Sequence, residues 1–516
     1  MGSPNRDLRQ DPDSRQGQDS TERGAGMRRS RWIVPSAIAL AGLALRLHAF
    51  DRQSVWYDEI FSLTVSHQPL GQMFHYLVQD FVQPPLHYLL LHFWFQLAGF
   101  GPYQGRLLSV IFGVLAILAA YWLGDYLFGA RAAAITAALV AVSQLAVMYS
   151  QEARPYGLLI LLAPCCAYLF LVALRTGCAG AWWGFVCLAV LVVYTHYYGF
   201  FLIAAFLIFA VAYRKRYRIR PSRWIGGAAL GFALYLPWLA SGFVTQWLHS
   251  PKSLSHIPTR AHFAWWTVLT SWNTFNNGRP AGVLESSPWW TFVLGGVFFG
   301  FPALWALKPL LRKAPEDALA ATVRESLVFL LLAWLIPFSA GLAIAFKSGA
   351  YDIRYVAFAM VPYYLLVARG MSEFSPAALR AATLAGCLIY SGNSLRANYS
   401  VPYKEDYRGA YAYLVQARQP GDCYVAAPSY EERQIRWAWA IYEENQPALA
   451  INSLDRVASG EQGCPRVWLI SVMYRSTPPS VNEARKAREA LEEHYARIEE
   501  RHYFWIDLDL YVPKGR

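Results

Sequence analysis

Residues 32–59 read WIVPSAIALAGLALRLHAFDRQSVWYDE, an apolar run that passes through a short polar link into two carboxylates. The apolar part, residues 32–50, carries one basic residue, Arg46, and is long enough for a helix to cross the hydrocarbon core of a bilayer. Asp58 and Glu59 then lie at a membrane face. Carboxylates are costly in that setting, so this pair predicts chemistry on a substrate carried by the membrane.

The composition of the whole chain is that of a membrane protein. Of its 516 residues, 55% are hydrophobic and only 16% are charged, which excludes an ordinary soluble enzyme. The formal net charge of +12 would suit nucleic acid, but the basic residues form short runs beside apolar segments, as at 214–220. Because this placement follows the positive-inside rule, nucleic-acid binding is not expected.

Uncharged windows of span length recur along the chain and, with residues 32–50, predict about eleven transmembrane helices. The other windows are 106–124, 132–149, 155–174, 181–195, 197–213, 224–245, 289–307, 326–346, 355–368 and 381–395. The apolar stretch 86–100 is predicted to be a helix in the outer interface, since counting it as a span would put the basic run 214–220 outside. The basic residues before the first span place the N-terminus in the cytoplasm.

Three regions follow from this layout. Residues 1–31 are charged and poor in apolar side chains, which predicts a disordered cytoplasmic tail, and Met27 offers an alternative start. Residues 32–396 form the transmembrane module, with a first outer loop at 51–105. Residues 397–516 are more charged and predict a small periplasmic α/β domain.

Within this last region, alternating patterns predict a helix at 405–418, strands at 422–427 and 466–472, a helix at 482–500 and a final strand at 503–511. Cys423 and Cys464 both lie there, in an oxidising setting, where a disulfide between them is expected. The predicted fold class is therefore an α-helical polytopic membrane protein with a small C-terminal α/β domain.

The predicted membrane topology places several motifs on the outer face. Together these motifs follow the pattern of one family. They are Trp56-Tyr57-Asp58-Glu59, Gln83-Pro84-Pro85-Leu86, Arg106-Leu107-Leu108-Ser109, YSQEARPY at 149–156, Thr195-His196-Tyr197-Tyr198 and Arg354-Tyr355. With them the chain resembles the GT-C membrane glycosyltransferases, in the bacterial branch similar to protein O-mannosyltransferases and the lipid A aminoarabinose transferase, which is family 39-like. The resemblance covers most of residues 32–396, and the segment from Lys404 to Arg408 is like tails in this branch.

The resemblance implies an inverting transfer of a sugar from a polyprenyl-phosphate-linked donor to an acceptor on the periplasmic face. Such chemistry needs a carboxylate that takes a proton from the attacking group and cations that hold the phosphate. The catalytic candidates are Asp58 as base with Glu59 and Glu152 in support. The substrate-binding candidates are Gln83, His87, Arg106, Arg154, Tyr156, His196, Tyr197 and Arg354, the last as phosphate clamp.

Structural explanations stay open for the acidic residues. Asp58 and Glu59 would also suit the start of an interfacial helix, where carboxylates favour the helix dipole. Glu152 and Arg154 could form a surface ion pair of little energetic value. No cofactor is required by these residues; a divalent metal between Asp58 and Glu152 is left open, and no Cys/His spacing of a metal site occurs.

The other candidates have similar alternatives. Arg354 and Arg106 are at span ends, where arginine commonly reaches to the interface, and His196 lies in an aromatic stretch typical of a membrane belt. The aromatic and amide residues of the outer loop 246–288 suit carbohydrate or an interface equally well.

Two other function classes compete with the glycosyltransferase. A transporter or flippase of lipid-linked glycans should place ionisable residues in mid-membrane, whereas here the charges gather at one face. A membrane scaffold would leave the outer carboxylates replaceable. The sugar and the acceptor cannot be read from these loops; protein, lipid A and an envelope polysaccharide all remain open, and the acceptor is one hypothesis for what residues 403–516 bind.

Overall fold

The computed structural model describes residues 32–80, 83–217, 220–243, 265–278, 288–312, 317–348, 352–443, 446–473 and 478–515. The predicted tail at 1–31 and much of the predicted outer loop at 246–288 lie outside these ranges. The described residues form a helical part up to Ser400 and a small domain that contains a sheet.

The helical part begins with the apolar helix predicted at 32–50 and ends with the one predicted at 381–395. In chain order its helices are α1 (Trp32–Leu47), α2 (Tyr57–His67), α3 (Leu70–Asp80), α4 (Leu86–Ala98), α5 (Pro102–Phe128), α6 (Ala130–Val142), α7 (Gln144–Ser150), α8 (Tyr156–Thr176), α9 (Ala179–Thr195), α10 (Gly199–Ala212), α11 (Pro221–Trp238), α12 (Trp265–Asn277), α13 (Trp289–Gly295), α14 (Phe301–Ala306), α15 (Lys308–Leu311), α16 (Ala318–Ser348), α17 (Met360–Ser372) and α18 (Ala377–Ser400). Short π-helical turns occupy Leu239–Phe243 and Gly296–Gly300, and a 3-10 turn, Ile353–Ala359, precedes α17.

Five helical stretches of the described residues are long and apolar enough to cross a bilayer, and the bent pair α6–α7 would make a sixth. Helices α1, α9 and α10 are apolar but shorter. The prediction of a mainly helical membrane protein with a small C-terminal α/β domain is confirmed. The count of about eleven spans stays a prediction.

Two local features bring the loops at one end of the helical part together. Helices α2, α3 and α4 fill the segment between α1 and α5, and the apolar stretch predicted at 86–100 is α4. At Ser143 the chain turns by 59° between α6 and α7, where the Ser143 hydroxyl accepts the N–H of Ala146 at 3.4 Å. This bend directs the turn after α7, residues 151–155, toward the start of α2.

The C-terminal domain places helices on a four-stranded sheet. Its elements are α19 (Tyr407–Ala417), β1 (Cys423–Ala427), a 3-10 turn (Ser429–Glu431), α20 (Glu432–Tyr442), α21 (Leu454–Ala458), β2 (Val467–Val472), α22 (Pro478–Glu492), β3 (Tyr495–Tyr503) and β4 (Ile506–Pro513). The strand order is β1-β2-β4-β3, with β1 parallel to β2 and the other pairs antiparallel. Cys423 pairs with Val467 in register and forms the expected disulfide with Cys464.

One sequence prediction for this domain is wrong in detail, and two of its helices, α20 and α21, were not predicted. The charged helix predicted at 482–500 ends at Glu492, and the next residues form β3, because Tyr495–Tyr503 finds an antiparallel partner in β4. A charged stretch carries no local signal that tells an edge strand from a helix; only its pairing with another strand does so.

The C-terminal domain shares a hydrophobic core with α2 and its neighbours. One cluster of buried side chains joins Ile60 and Leu63 of α2 with Tyr411 of α19 and Trp439 of α20. The two parts therefore pack as one body around the start of α2, and residues that the chain separates widely meet there.

Candidate active site

Asp58 lies in the first turn of α2 and faces two guanidinium groups. Nη1 of Arg354 donates to its Oδ2 at 2.9 Å, and Nη2 of Arg154 lies 3.5 Å from the same oxygen. Nη1 of Arg154 also donates to the Asp58 carbonyl at 3.0 Å and to the Ser62 hydroxyl at 2.9 Å. The Asp58 side chain keeps 19% of its surface exposed, so a substrate can reach it.

Arg354 is enclosed by aromatic rings. Its guanidinium carbon lies 5.3 Å from the ring centres of Trp56 and Tyr355 and 5.9 Å from that of Tyr156. Its Nε is 3.5 Å from Asp352. Stacking against ring faces fixes the plane of a guanidinium without using its N–H donors, so Arg354 is held in place while retaining capacity to bind an anion.

Glu59, the next residue, points away from this exposed position into the protein. Its carboxylate accepts two parallel hydrogen bonds from Arg106, each 2.8 Å long, and a third from Nζ of Lys404 at 2.9 Å. The backbone N–H of Ala153 supplies a fourth at 3.0 Å. Because the Glu59 side chain is fully buried and its oxygens are satisfied, it serves as the centre of an ion-pair network.

Glu152, in the turn after α7, completes this network. Its Oε1 lies 3.1 Å from Nζ of Lys404, which therefore bridges the two glutamates. Within the described part of the chain, Oε2 of Glu152 is buried and has no hydrogen-bond partner. We call the four side chains Glu59, Arg106, Glu152 and Lys404 the buried cluster.

The pKa values of the two glutamates are shifted in opposite directions. Burial would raise the pKa of Glu59, but the charges of Arg106 and Lys404 outweigh it and lower this pKa to about 2. At Glu152 burial dominates over the attraction of Lys404, and the negative charge of Glu59 adds to it, so the pKa of Glu152 is raised above its usual range. Lys404 thus stabilises the ionised form of both carboxylates but outweighs burial only at Glu59.

Neutral polar side chains line the other side of the guanidinium pair. Nε2 of Gln83 donates to the Tyr156 hydroxyl at 3.2 Å, and the Tyr88 hydroxyl donates to Oε1 of Gln83 at 3.3 Å. His196 stacks obliquely on Tyr156, with ring centres 5.9 Å apart, and its Nδ1 accepts the N–H of Tyr198 at 3.2 Å. These contacts place them beside the two arginines.

His87 is fully buried in α4, and neither of its ring nitrogens has a hydrogen-bond partner among the described residues. Burial and the nearby charge of Arg154 lower the pKa of His87 to about 3, and burial with both arginines lowers the pKa of His196 to about 3. Both imidazoles are therefore neutral: His87 can donate or accept a hydrogen bond to a ligand, whereas His196, whose Nδ1 already accepts, can donate through Nε2.

The structure therefore brings most sequence-predicted site residues together at one end of the helical part. Tyr197 lies further out, where its hydroxyl accepts the indole N–H of Trp238 at 3.2 Å. Arg106 donates hydrogen bonds to Glu59 and to the backbone carbonyls of Gln53 and Ser54. It therefore belongs to the buried cluster and not to the side where Arg154 and Arg354 face Asp58. Whether these residues act on a substrate stays a prediction.

Sequence reasoning did not assign Lys404, Ser62 or Tyr88 to the site. Lys404 opens the tail segment that resembles its family, and this was the one available signal for it. Ser62 lies one helical turn after Asp58, a spacing that places both on one face of α2. Tyr88 was hidden in an apolar run.

The sequence left a divalent metal between Asp58 and Glu152 open, and that stays an expectation. No group of three or more metal-ligating side chains occurs among the described residues. Asp58 is turned toward Arg354, and Glu152 toward Lys404, so each carboxylate already faces a cation.

Comparison with solved structures defines the class of the fold. ArnT from Cupriavidus metallidurans, solved with bound undecaprenyl phosphate, superposes with a TM-score of 0.57 at 12% identity, covering 93% of this chain and 98% of that one. The archaeal oligosaccharyltransferase AglB from Archaeoglobus fulgidus superposes with a TM-score of 0.53 at 14% identity, covering 95% and 74%. The chain has the fold of these proteins, as the resemblance to GT-C membrane glycosyltransferases implied.

A family model adds a match in sequence. Residues 82–240 match the model described as dolichyl-phosphate-mannose-protein mannosyltransferase, and this range contains Glu152, Arg154, Tyr156 and His196. No curated protein sequence matches the chain. Fold and family match together support a glycosyltransferase-type membrane enzyme.

Proposed function

We propose that this protein transfers a sugar from a polyprenyl-phosphate-linked donor to an acceptor on the periplasmic face of the bacterial inner membrane, with inversion at the sugar carbon. The N-terminus is then cytoplasmic, and the C-terminal domain is periplasmic. The transfer serves the glycosylation of an envelope glycan, lipid or protein. The observation that carries the proposal is the partly exposed carboxylate of Asp58 against the aromatic-enclosed guanidinium of Arg354.

The chemistry follows from these two groups. The acceptor hydroxyl or amine attacks the anomeric carbon, the bond from that carbon to the phosphate oxygen breaks, and polyprenyl phosphate leaves with the bonding electrons. Asp58 takes the proton of the attacking group as general base. Arg354 stabilises the charge that grows on the leaving phosphate, as a planar guanidinium with two parallel donors does well.

The ion pair between Asp58 and Arg354 describes the protein before the donor binds. In this state Nη1 of Arg354 donates to Oδ2 of Asp58, so that oxygen is already occupied. A donor phosphate competes with Asp58 for Arg354, and the competition frees Oδ2 of Asp58 to accept a proton. Arg154, which binds the Asp58 carbonyl and the Ser62 hydroxyl, holds the carboxylate near its place during this exchange.

The remaining candidates take supporting roles. Glu59 and Glu152, with Arg106, position the start of α2, which carries Asp58. Gln83, His87, Tyr156 and His196 line the side of the arginines and offer neutral hydrogen bonds and ring faces to the sugar. Tyr197 accepts the indole N–H of Trp238 at a position next to these residues. The proposed reaction requires no cofactor.

Two properties of the structural relatives support a lipid-phosphate donor. ArnT from C. metallidurans was solved with undecaprenyl phosphate, and AglB from A. fulgidus with a dolichol phosphate and an inhibitory peptide. The acceptor of this chain is left to experiment.

The test uses membranes that contain wild-type protein or Asp58→Asn at matched levels. A panel of polyprenyl-phosphate sugars, each radiolabelled in the sugar, is supplied, and label in the acceptor fraction is counted. We expect transfer with wild type only. Equal transfer by Asp58→Asn would exclude its role as base, and labelled lipid that crosses the bilayer without transfer would establish the flippase instead.

A further inference from the structure

The segment that leads into the C-terminal domain is bound to the segment that leads into α2. Nε2 of Gln53 donates to the Val401 carbonyl at 2.9 Å, and the N–H of Tyr403 donates to Oε1 of Gln53 at 3.3 Å. The N–H of Arg408 donates to the Ser54 hydroxyl at 3.2 Å. Residues 401–408 therefore run beside residues 53–54, a few positions before Asp58.

The C-terminal domain holds the same segment from its other side. The Tyr442 hydroxyl, at the end of α20, accepts the N–H of Val55 at 2.6 Å and lies 3.0 Å from the Ser54 hydroxyl. Arg408 also donates to the Arg52 carbonyl at 2.8 Å. The backbone before α2 thus receives contacts from two places in the C-terminal domain region.

Lys404 is the one cation that this segment inserts into the buried cluster, as far as the described residues show. Only 3% of its side chain is exposed, and Nζ lies 2.9 Å from Glu59 and 3.1 Å from Glu152. With Lys404 in place, two positive and two negative side chains balance one another. Without it the buried cluster would hold two carboxylates against Arg106 alone, and a buried uncompensated charge is strongly unfavourable.

We propose that Lys404 is a positioning residue for the transfer reaction: it neutralises Glu59 and Glu152 together and so couples the C-terminal domain to the position of Asp58. The inference rests on the proposed function, since Asp58 is the base there. It makes the C-terminal domain part of the catalytic unit and not only a possible acceptor-binding module. Deleting residues 403–516 would remove both roles at once, so point variants are needed.

The experiment compares Lys404→Met, Lys404→Arg, Glu152→Gln and the double variant Lys404→Met/Glu152→Gln in full-length protein. Lys486→Met is the matched control, because Lys486 is an exposed lysine of α22 that pairs with Glu483. Two quantities are measured for each: the midpoint of thermal unfolding in detergent, and kcat and KM for the donor across pH. The first quantity needs no substrate.

Charge balance sets the expected pattern. Lys404→Met should lower the unfolding midpoint, and Glu152→Gln added to it should restore most of the loss, because the double variant again balances one carboxylate with one guanidinium. Lys404→Met should lower kcat by about tenfold or more with a smaller change in KM. It should also shift the acid limb of the profile of kcat against pH to higher pH. Lys404→Arg should keep more activity than Lys404→Met, and Lys486→Met should match wild type.

Additive effects on the unfolding midpoint in the double variant would overturn the proposal, as would Lys404→Met with wild-type kcat and an unmoved acid limb. If wild type transfers sugar from no donor, the proposed function fails by itself. The unfolding measurements then still decide whether Lys404 balances the two glutamates.

Discussion

Asp58 and Glu59 are adjacent in sequence and share one helical turn, yet they lie in opposite environments. Successive residues of a helix point about 100° apart, so one carboxylate faces the accessible side and the other faces the core. Asp58 is 19% exposed between two arginines, whereas Glu59 is fully buried and satisfied by Arg106, Lys404 and a backbone N–H. The comparison teaches that two adjacent carboxylates can take different tasks: Asp58 is the proposed base, and Glu59 anchors the start of α2.

The largest expected effect is on the rate, at the exposed member. Asp58→Asn removes the proton acceptor but leaves the size of the side chain unchanged, so we expect kcat to fall about 10²–10⁴-fold. The unfolding midpoint should stay close to wild type, because the buried cluster is untouched. The measurement is sugar transfer beside thermal unfolding of the same preparation. A large loss of stability in this variant would erase the contrast with Glu59.

The next effect is on stability, at the buried member. Glu59→Gln removes the negative charge that compensates Arg106 and Lys404, and breaking a buried ion pair costs about 3–5 kcal/mol. We therefore expect a clearly lower unfolding midpoint and a poor yield of folded protein. Thermal unfolding in detergent, with Asp58→Asn as the matched control, checks this. A wild-type midpoint would show that Glu59 is not an anchor.

Two arginine-to-lysine variants sharpen the same contrast. Lysine keeps the charge but cannot make two parallel hydrogen bonds. Arg354→Lys should raise KM for the donor about tenfold, about 1.4 kcal/mol of binding, at an unchanged unfolding midpoint. Arg106→Lys should instead lower the midpoint, since Arg106 donates to buried Glu59. Steady-state kinetics and unfolding on both variants test the assignment, and an exchange of the two outcomes would reverse the roles.

The smallest effect is a pH dependence inside the buried cluster. The pKa of Glu59 is lowered from 4.5 to about 2, so its stabilisation is full above pH 4.5 and is lost as the pH falls toward 2. The pKa of Glu152 is raised, so the protonated form favours the folded state at low pH, and that contribution is lost as the pH rises through the raised value. We expect Glu152→Gln to gain stability relative to wild type as the pH rises. Unfolding midpoints measured from pH 4 to 8 follow this difference, and a constant difference would contradict it.

Much of the fold could be predicted because its signals are local. Apolar windows marked the helices, and α5 occupies the window at 106–124 with Pro102 at its start and Gly129 just after its end. The disulfide was expected from two cysteines in an exported region. The strand β3 could not be predicted in the same way, because its pairing with β4 is a contact between segments and not a pattern within one.

The sequence by itself determined that this is a polytopic membrane protein with an acidic motif after its first apolar helix and a small α/β domain at its end. Hydrophobic length and charge placement carry that information residue by residue. Only the tertiary structure decided that Glu59 is buried while Asp58 is accessible, and that Lys404 lies between Glu59 and Glu152. Those outcomes depend on packing among segments far apart in the chain, since a carboxylate acquires its role from the charges and the water that surround it in the folded protein.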